Sequence, residues 1–321
     1  MLKLLQSIFG GVTEGNYPEW LVKAAIERAV DGTDPCLRAV SGYKKKLRPA
    51  ILKSIDHVVS LVDRLPVPMT ISRNSFGDVP RLKAFFVSPD DMQRTVTRDQ
   101  NLAAYLRGAG ETPLQVFALL AMEKWENTLL GNEISGELVM RDVPQVSVSF
   151  EAHRLIDPTG SEEETRRQLK RRAFDHLLSL ALMRISIVKS TREQLGRHRE
   201  LLQAKRNLLE RGGWGFNDSD SSEKLDVAGV EKQLADIEAS LMELGGDDSM
   251  FETYLNILVD VLGNPETYLW ARQETLFLDS MRIRRDQGAF NASELTLNEL
   301  FNAEGRTLVV ALVALPGGVV G

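Results

Sequence analysis

Glu151, His153 and Asp157 are the residues whose types and spacing come nearest to chemistry. Two positions apart on a strand, Glu151 and His153 would share one face. A carboxylate beside an imidazole tunes an acid–base group or, with a third donor such as Asp157, begins a metal site. The competing reading is a solvent-facing strand whose residues are merely polar, because a working site needs a convergence that spacing alone does not supply.

The remaining histidines offer less. His57 follows Asp56 and His176 follows Asp175, and adjacent helical residues point about 100° apart, so neither pair shares a face. His198 falls in a charged stretch and reads as solvated. Cys36 sits behind a helix-starting proline, where the helix dipole lowers a thiol pKa. A buried or half-buried structural thiol is the preferred account. The chain contains no His-Glu-x-x-His, Gly-x-Ser-x-Gly, Walker or Gly-x-Gly-x-x-Gly pattern. No metal and no cofactor is therefore expected, and an enzyme is the less favoured class.

Three basic clusters suggest a phosphate-binding face: Lys44, Lys45 and Lys46; Arg166, Arg167, Lys170 and Arg171; and Arg282 with Arg284. Converging on one surface, they would make an electrostatic footprint for nucleic acid. The chain is nevertheless acidic, with a net charge of −6, and no aromatic residues interleave the clusters for base stacking. Nucleic-acid binding is not favoured.

Two apolar features suggest recognition instead. Trp214 and Phe216 lie among glycines and acidic residues, offering a large contact area at low entropic cost. Leu2, Leu4, Leu5, Ile8 and Phe9 form a short apolar segment that could seat in a partner's groove. As a peripheral membrane contact it is weak, with one lysine and no second anchoring signal. It also lacks the length and cleavage site of a secretory signal. The nine-residue run Thr307–Leu315 is about half the length of a membrane helix. With Cys36 as the only cysteine, no intramolecular disulfide forms, and a reducing cytoplasmic setting is expected.

The elements that position these residues are legible in the helix punctuation. Asp34-Pro35, Ser88-Pro89, Thr112-Pro113 and Asn264-Pro265 each pair a capping side chain with a proline at the first helical position. Ser161 and Glu164 form a capping-box pattern. Helices are expected at Pro18–Val30, up to Leu65, near 89–95 and 98–107, and at 113–130, with an irregular stretch at 66–87. Alternation at Val146, Val148, Phe150 and Ala152 predicts a strand with one wet face, paired with Glu137–Arg141 across Asp142–Gln145. Strands at Thr275–Arg284, Glu294–Leu300 and Thr307–Leu315 complete a small mixed or antiparallel sheet, with the last, apolar on both faces, at its centre.

From Glu162 to Arg211 the chain runs without proline. Its first half, from Phe174 to Val188, has almost no polar face and is expected to be buried all round. Beyond it a seam survives at Val188, Leu195, Leu202 and Leu209. Val227, Val230, Leu234, Ile237, Leu241 and Leu244 answer it at spacings of three and four. Charge agrees: residues 162–211 carry thirteen Lys/Arg and seven Asp/Glu, and 218–252 carry two and eleven. The expectation is a predominantly helical α+β protein. It has a short apolar segment (1–15), a helical region (16–131), an α+β body (132–188 and 247–321) and an antiparallel coiled-coil arm (189–246). The favoured function is a non-catalytic interaction or scaffold protein that uses the arm to bind a protein partner or itself. The alternatives are a catalytic or ligand site at Glu151 and His153, and nucleic-acid binding.

Overall fold

A computed structural model describes residues 17–109, 113–135, 138–210, 220–245, 249–289 and 291–317. The fold is α+β and predominantly helical, with a six-stranded sheet. The helices are α1 (Glu19–Asp31), α2 (Tyr43–Asp63), α3 (Pro80–Phe85), α4 (Pro89–Thr97), α5 (Gln100–Gly108), α6 (Glu162–Glu210), α7 (Asp220–Glu243) and α8 (Met250–Gly263). The strands are β1 (Met69–Thr70), β2 (Gln115–Ser135), β3 (Leu138–Thr159), β4 (Leu269–Leu278), β5 (Ser293–Asn302) and β6 (Thr307–Pro316). The chain forms two compact units, residues 17–54 with 175–264 and residues 55–174 with 265–317.

The capping residues act as their types require. Ser88 accepts from the Asp91 amide, Asp99 from Leu102 and Ser161 from Glu164, each serving an orphan donor of a first turn. Asp34 accepts from the Cys36 amide and starts a short 3-10 turn at Pro35–Ala39. The Cys36 side chain itself is exposed, correcting the expectation of a buried or half-buried thiol.

In the sheet-bearing unit the strand order is β3-β2-β6-β5-β4, and β1 pairs in parallel with β6 beyond the end of β5. β6 is central, as its two apolar faces require. Val309, Ala311, Val313 and Leu315 point into one core with Val116, Ala118, Leu120 and Met122 of β2, against Leu82, Phe85 and Phe86, Met92 and Leu102. Val310 and Leu312 point the other way, with Leu119 and Ala121, against Val62 at the end of α2 and Leu169 near the start of α6.

This double burial overturns the expected helix at 113–130, which is strand β2. A strand buried on both faces reads as an unbroken apolar run, and Val116–Met122 carries no period that separates it from a buried helix. The expected hairpin at Asp142–Gln145 is also corrected. Residues 138–159 are one strand paired along its length with β2, and Pro144 sits opposite Leu130 within it. Glu137 lies outside the described residues. The stretch 66–87 contains β1 and α3, and the expected strand at Thr275–Arg284 is shifted to β4.

The other unit packs α1, the first half of α2, α6 beyond Asp175, and α8. Leu21, Ile26 and Val30 of α1 are buried, as are Leu47 and Ile51 of α2, Leu178 and Ile185 of α6, and Leu255 and Leu258 of α8. α8 lies beside α6: Arg184 pairs with Asp260 at 2.7 Å, and the Lys189 ammonium sits 5.2 Å from the centre of the Tyr254 ring. The expectation that Phe174–Val188 is buried all round is corrected, because Leu182, Met183 and Ile187 are exposed. Hydrophobicity gives the number of apolar residues on a helix, not the number of neighbours available to cover them.

Candidate functional site

The backbone of β3 decides what Glu151 and His153 can do. Against β2 the strand carries three one-residue register shifts, between the pairs Gly131–Val143 and Glu133–Met140, between Ala121–Arg154 and Glu123–Glu151, and between Phe117–Thr159 and Leu119–Ile156. Each extra residue is on β3, and each interval contains a non-glycine residue with positive φ: Asp142 at 56°, Ala152 at 53° and Asp157 at 49°. These are β-bulges with a left-handed residue. A single inserted residue exchanges the two faces of everything beyond it. Val148 and Phe150 are therefore buried before the bulge and Leu155 after it, while Ala152 is exposed. Glu151 points to solvent and His153 turns inward, so the shared face expected from their spacing is lost at Ala152.

His153 stacks on Phe86 with ring centres 4.8 Å apart, and its Nε2 lies 2.9 Å from the Phe85 carbonyl oxygen. Arg282, itself at a φ of 62°, donates to the carbonyls of Lys83 and Phe86. These three oxygens belong to the C-terminal end of α3, where helix carbonyls lack intrahelical partners. His153 and Arg282 thus close a helix end. Burial, the leading cause, holds both the imidazole and the guanidinium below their ordinary pKa values.

The same device recurs. Arg166 donates to Val62, Leu65 and Pro66 at the end of α2, and Arg192 donates to Gly245 just beyond α7. The favourable charge of a cation at a helix C-terminus adds to the hydrogen bonds.

Most of the other basic candidates lie beside carboxylates. Lys44 pairs with Glu27 at 2.9 Å, Lys46 with Glu252 at 2.8 Å, and Lys170 with Asp63 at 2.7 Å. Arg167 pairs with Glu164, and Arg284 lies 3.9 Å from Glu126. Lys45 is exposed and Arg171 half-buried. Lys44, Lys45 and Lys46 belong to one unit, and Arg166, Arg167, Lys170, Arg171, Arg282 and Arg284 to the other.

Asp157 accepts both guanidinium bonds of Arg172, at 2.8 and 2.7 Å, in the wall of a cleft of about 280 Å³ lined also by Asn101, Tyr105, Thr159 and Gln168. Its carboxylate is thus turned toward α6, away from His153 at the end of α3. Among the described residues no group of three His, Cys, Asp or Glu is placed to hold a metal ion. None of their helices is long and apolar enough to cross a membrane. Trp214, Phe216 and the apolar segment Leu2–Phe9 lie outside the described residues.

Sequence reading missed one constellation. Lys124 of β2 reaches Glu299 of β5 at 2.8 Å, Glu274 of β4, and Glu126 at 3.4 Å, while Arg272 reaches Glu299 at 3.2 Å. Glu299 is 1% exposed. Burial pushes the Lys124 pKa down, but the two carboxylates outweigh it and hold the ammonium above its ordinary value. For Glu274 burial pushes up, and Lys124 brings the carboxyl below its usual range. With 113–130 read as helix, nothing could have joined Lys124 to residues 150 and 175 positions later.

α7 packs against the second half of α6. Leu202, Val230, Leu234 and Ile237 form one buried cluster, with Leu195, Leu209 and Leu241 packed on it. The Arg192–Gly245 bond sets the start of the outgoing half beside the end of the return half, so the two helices run antiparallel. At its base Lys189 is hydrogen-bonded to Asp34, which is 4% exposed. Compared with protein-family models, with curated proteins and with solved structures, the chain shows no match.

Proposed function

We propose that this chain is a non-catalytic interaction protein that engages a protein partner, or a second copy of itself, through the helical hairpin formed by α7 and the second half of α6. One observation carries the reading: among the described residues between Thr191 and Glu243, the buried ones are Leu202, Val230, Leu234 and Ile237, a single seam. A hairpin that packs only on itself adds little to the core of the unit bearing it, and its retained length serves reach. A cytoplasmic setting belongs to the same proposal and rests on the single cysteine.

The sheet-face alternative loses its support where Glu151 and His153 part to opposite faces. The nucleic-acid alternative loses support where the basic side chains are spent on helix ends and carboxylates. The test is capture from native lysate with the full chain and with a shortened chain that joins Lys189 to Gly245 through a short glycine turn. Circular dichroism checks the fold of the shortened chain. A partner, or a second copy, held by the full chain and lost from the folded shortened chain supports the proposal; equal capture by both overturns it.

A further inference from the structure

The cleft beside Asp157 gathers polar groups from three elements: α5, the end of β3, and α6. Its lining residues all belong to the sheet-bearing unit, and none to the unit that bears the hairpin. The last bulge of β3 delivers Asp157 to it, and re-aiming a side chain is what such bulges do. The charges of the wall cancel. Asp157 takes two hydrogen bonds from Arg172, at 2.8 and 2.7 Å, so the two ionised side chains of the lining form one neutral pair.

The other polar groups are amides and hydroxyls. Asn101 donates through Nδ2 to the Leu155 carbonyl at 2.6 Å, and Gln168 through Nε2 to Glu164 at 2.7 Å. Among the described residues, no partner engages Oδ1 of Asn101, Oε1 of Gln168 or the Tyr105 hydroxyl. Thr159 adds a hydroxyl, which lies 2.7 Å from that of Thr165. The apolar part of the lining is Ala104, Pro158 and the ring of Tyr105.

These features select a ligand class. A wall without net charge has no Coulombic preference for an anion or a cation. Amide oxygens accept, and hydroxyls both donate and accept, so an occupant that satisfies them carries hydroxyl groups of its own. The apolar lining suits the carbon face of a ring. At about 280 Å³ the cleft stands at the small end of ligand sites, whose range begins at roughly 300 Å³, which fits one sugar ring rather than a nucleotide. We propose that the cleft binds a neutral polyhydroxylated molecule of monosaccharide size. Asn101, Gln168 and Tyr105 take its hydroxyls, and the Asp157–Arg172 pair holds the wall. This site is independent of the hairpin interaction, and either stands without the other.

The test is titration of the full chain with D-glucose, D-mannose and myo-inositol, followed through the side-chain amide signals of Asn101 and Gln168 by nuclear magnetic resonance. At least one probe is expected to shift both signals saturably, with a millimolar Kd that raised salt leaves unchanged. Gln168→Ala, read at Asn101, should weaken binding by up to about tenfold, the loss of one hydrogen bond. Ala104→Trp fills the cleft and should abolish binding. Ala104 is exposed, so this variant keeps the fold, which circular dichroism verifies. Inorganic phosphate and acetate are the contrasting probes. Saturation by either of them, with none by the three polyols, assigns an anion site and overturns the proposal. No saturable shift from any probe overturns it, and so does undiminished binding by either folded variant.

Discussion

The imidazole Nε2 of His153 donates to the main-chain oxygen of Phe85, 2.9 Å away, at the end of α3. Burial leads in holding this imidazole below its ordinary pKa, and Arg282 adds to it. The Phe85 carbonyl and the carboxylates of Asp91 and Glu151 pull the other way. The unfolded chain therefore takes up the proton at higher pH than the folded one. Stability falls as pH drops below about 6.5, the unfolded value, toward the lower folded one. Urea denaturation across that window is expected to show the loss, and His153→Gln to flatten it. An unchanged slope in the variant would assign the loss to other groups.

Lys124 is the cation that allows Glu274 and Glu299 to sit together. Lys124→Met leaves two carboxylates facing each other with one of them buried, and is expected to cost about 3–5 kcal/mol by chemical denaturation. Adding Glu299→Gln should recover part of that loss, a coupling of about 0.5–3 kcal/mol. Additive effects would show that the contacts are not energetically linked.

The hairpin opens independently of the sheet in the expectation drawn from its separate core. Leu234→Asp places a charge in the buried seam and should raise amide exchange from Leu195 to Leu241. Protection along Val309–Leu315 should stay unchanged. Loss of protection at both places would show that the two cores unfold as one.

Ala152 holds a left-handed backbone without the freedom of glycine, a strain of about 1–2 kcal/mol. Because its side chain is exposed, Ala152→Gly removes no packing. Stability should rise by up to about 1 kcal/mol, the added freedom of the unfolded chain taking back the remainder. A fall in melting temperature would mean that the methyl group has a role in the folded state.

What was legible in the sequence was local or strictly periodic. Ser88 and Ser161 act within three residues of themselves, so their caps depend on nothing far away. The central place of β6 follows from its two apolar faces. What was hidden depends on pairing. Val116–Met122 is strand because β6 and β3 flank it, and Lys124 meets its carboxylates only once that sheet exists. His153 and Arg282 drew notice as chemically able residues, yet both bind carbonyls that no sequence pattern advertises.

The bulges of β3 give that strand something like a reading frame. Between residues 143 and 151, and again from 154 to 156, side chains alternate dependably, and at 142, 152 and 157 the frame advances by one. Removing Ser149, between two bulges, would leave composition and hydrophobicity almost untouched. It would nevertheless put Val148 and Phe150 on opposite faces, just as a lost base scrambles a message while keeping its letters. Away from its bulges, changes of chain length are therefore governed by parity, and the strand should accept an insertion or deletion there only where a second one nearby restores the count.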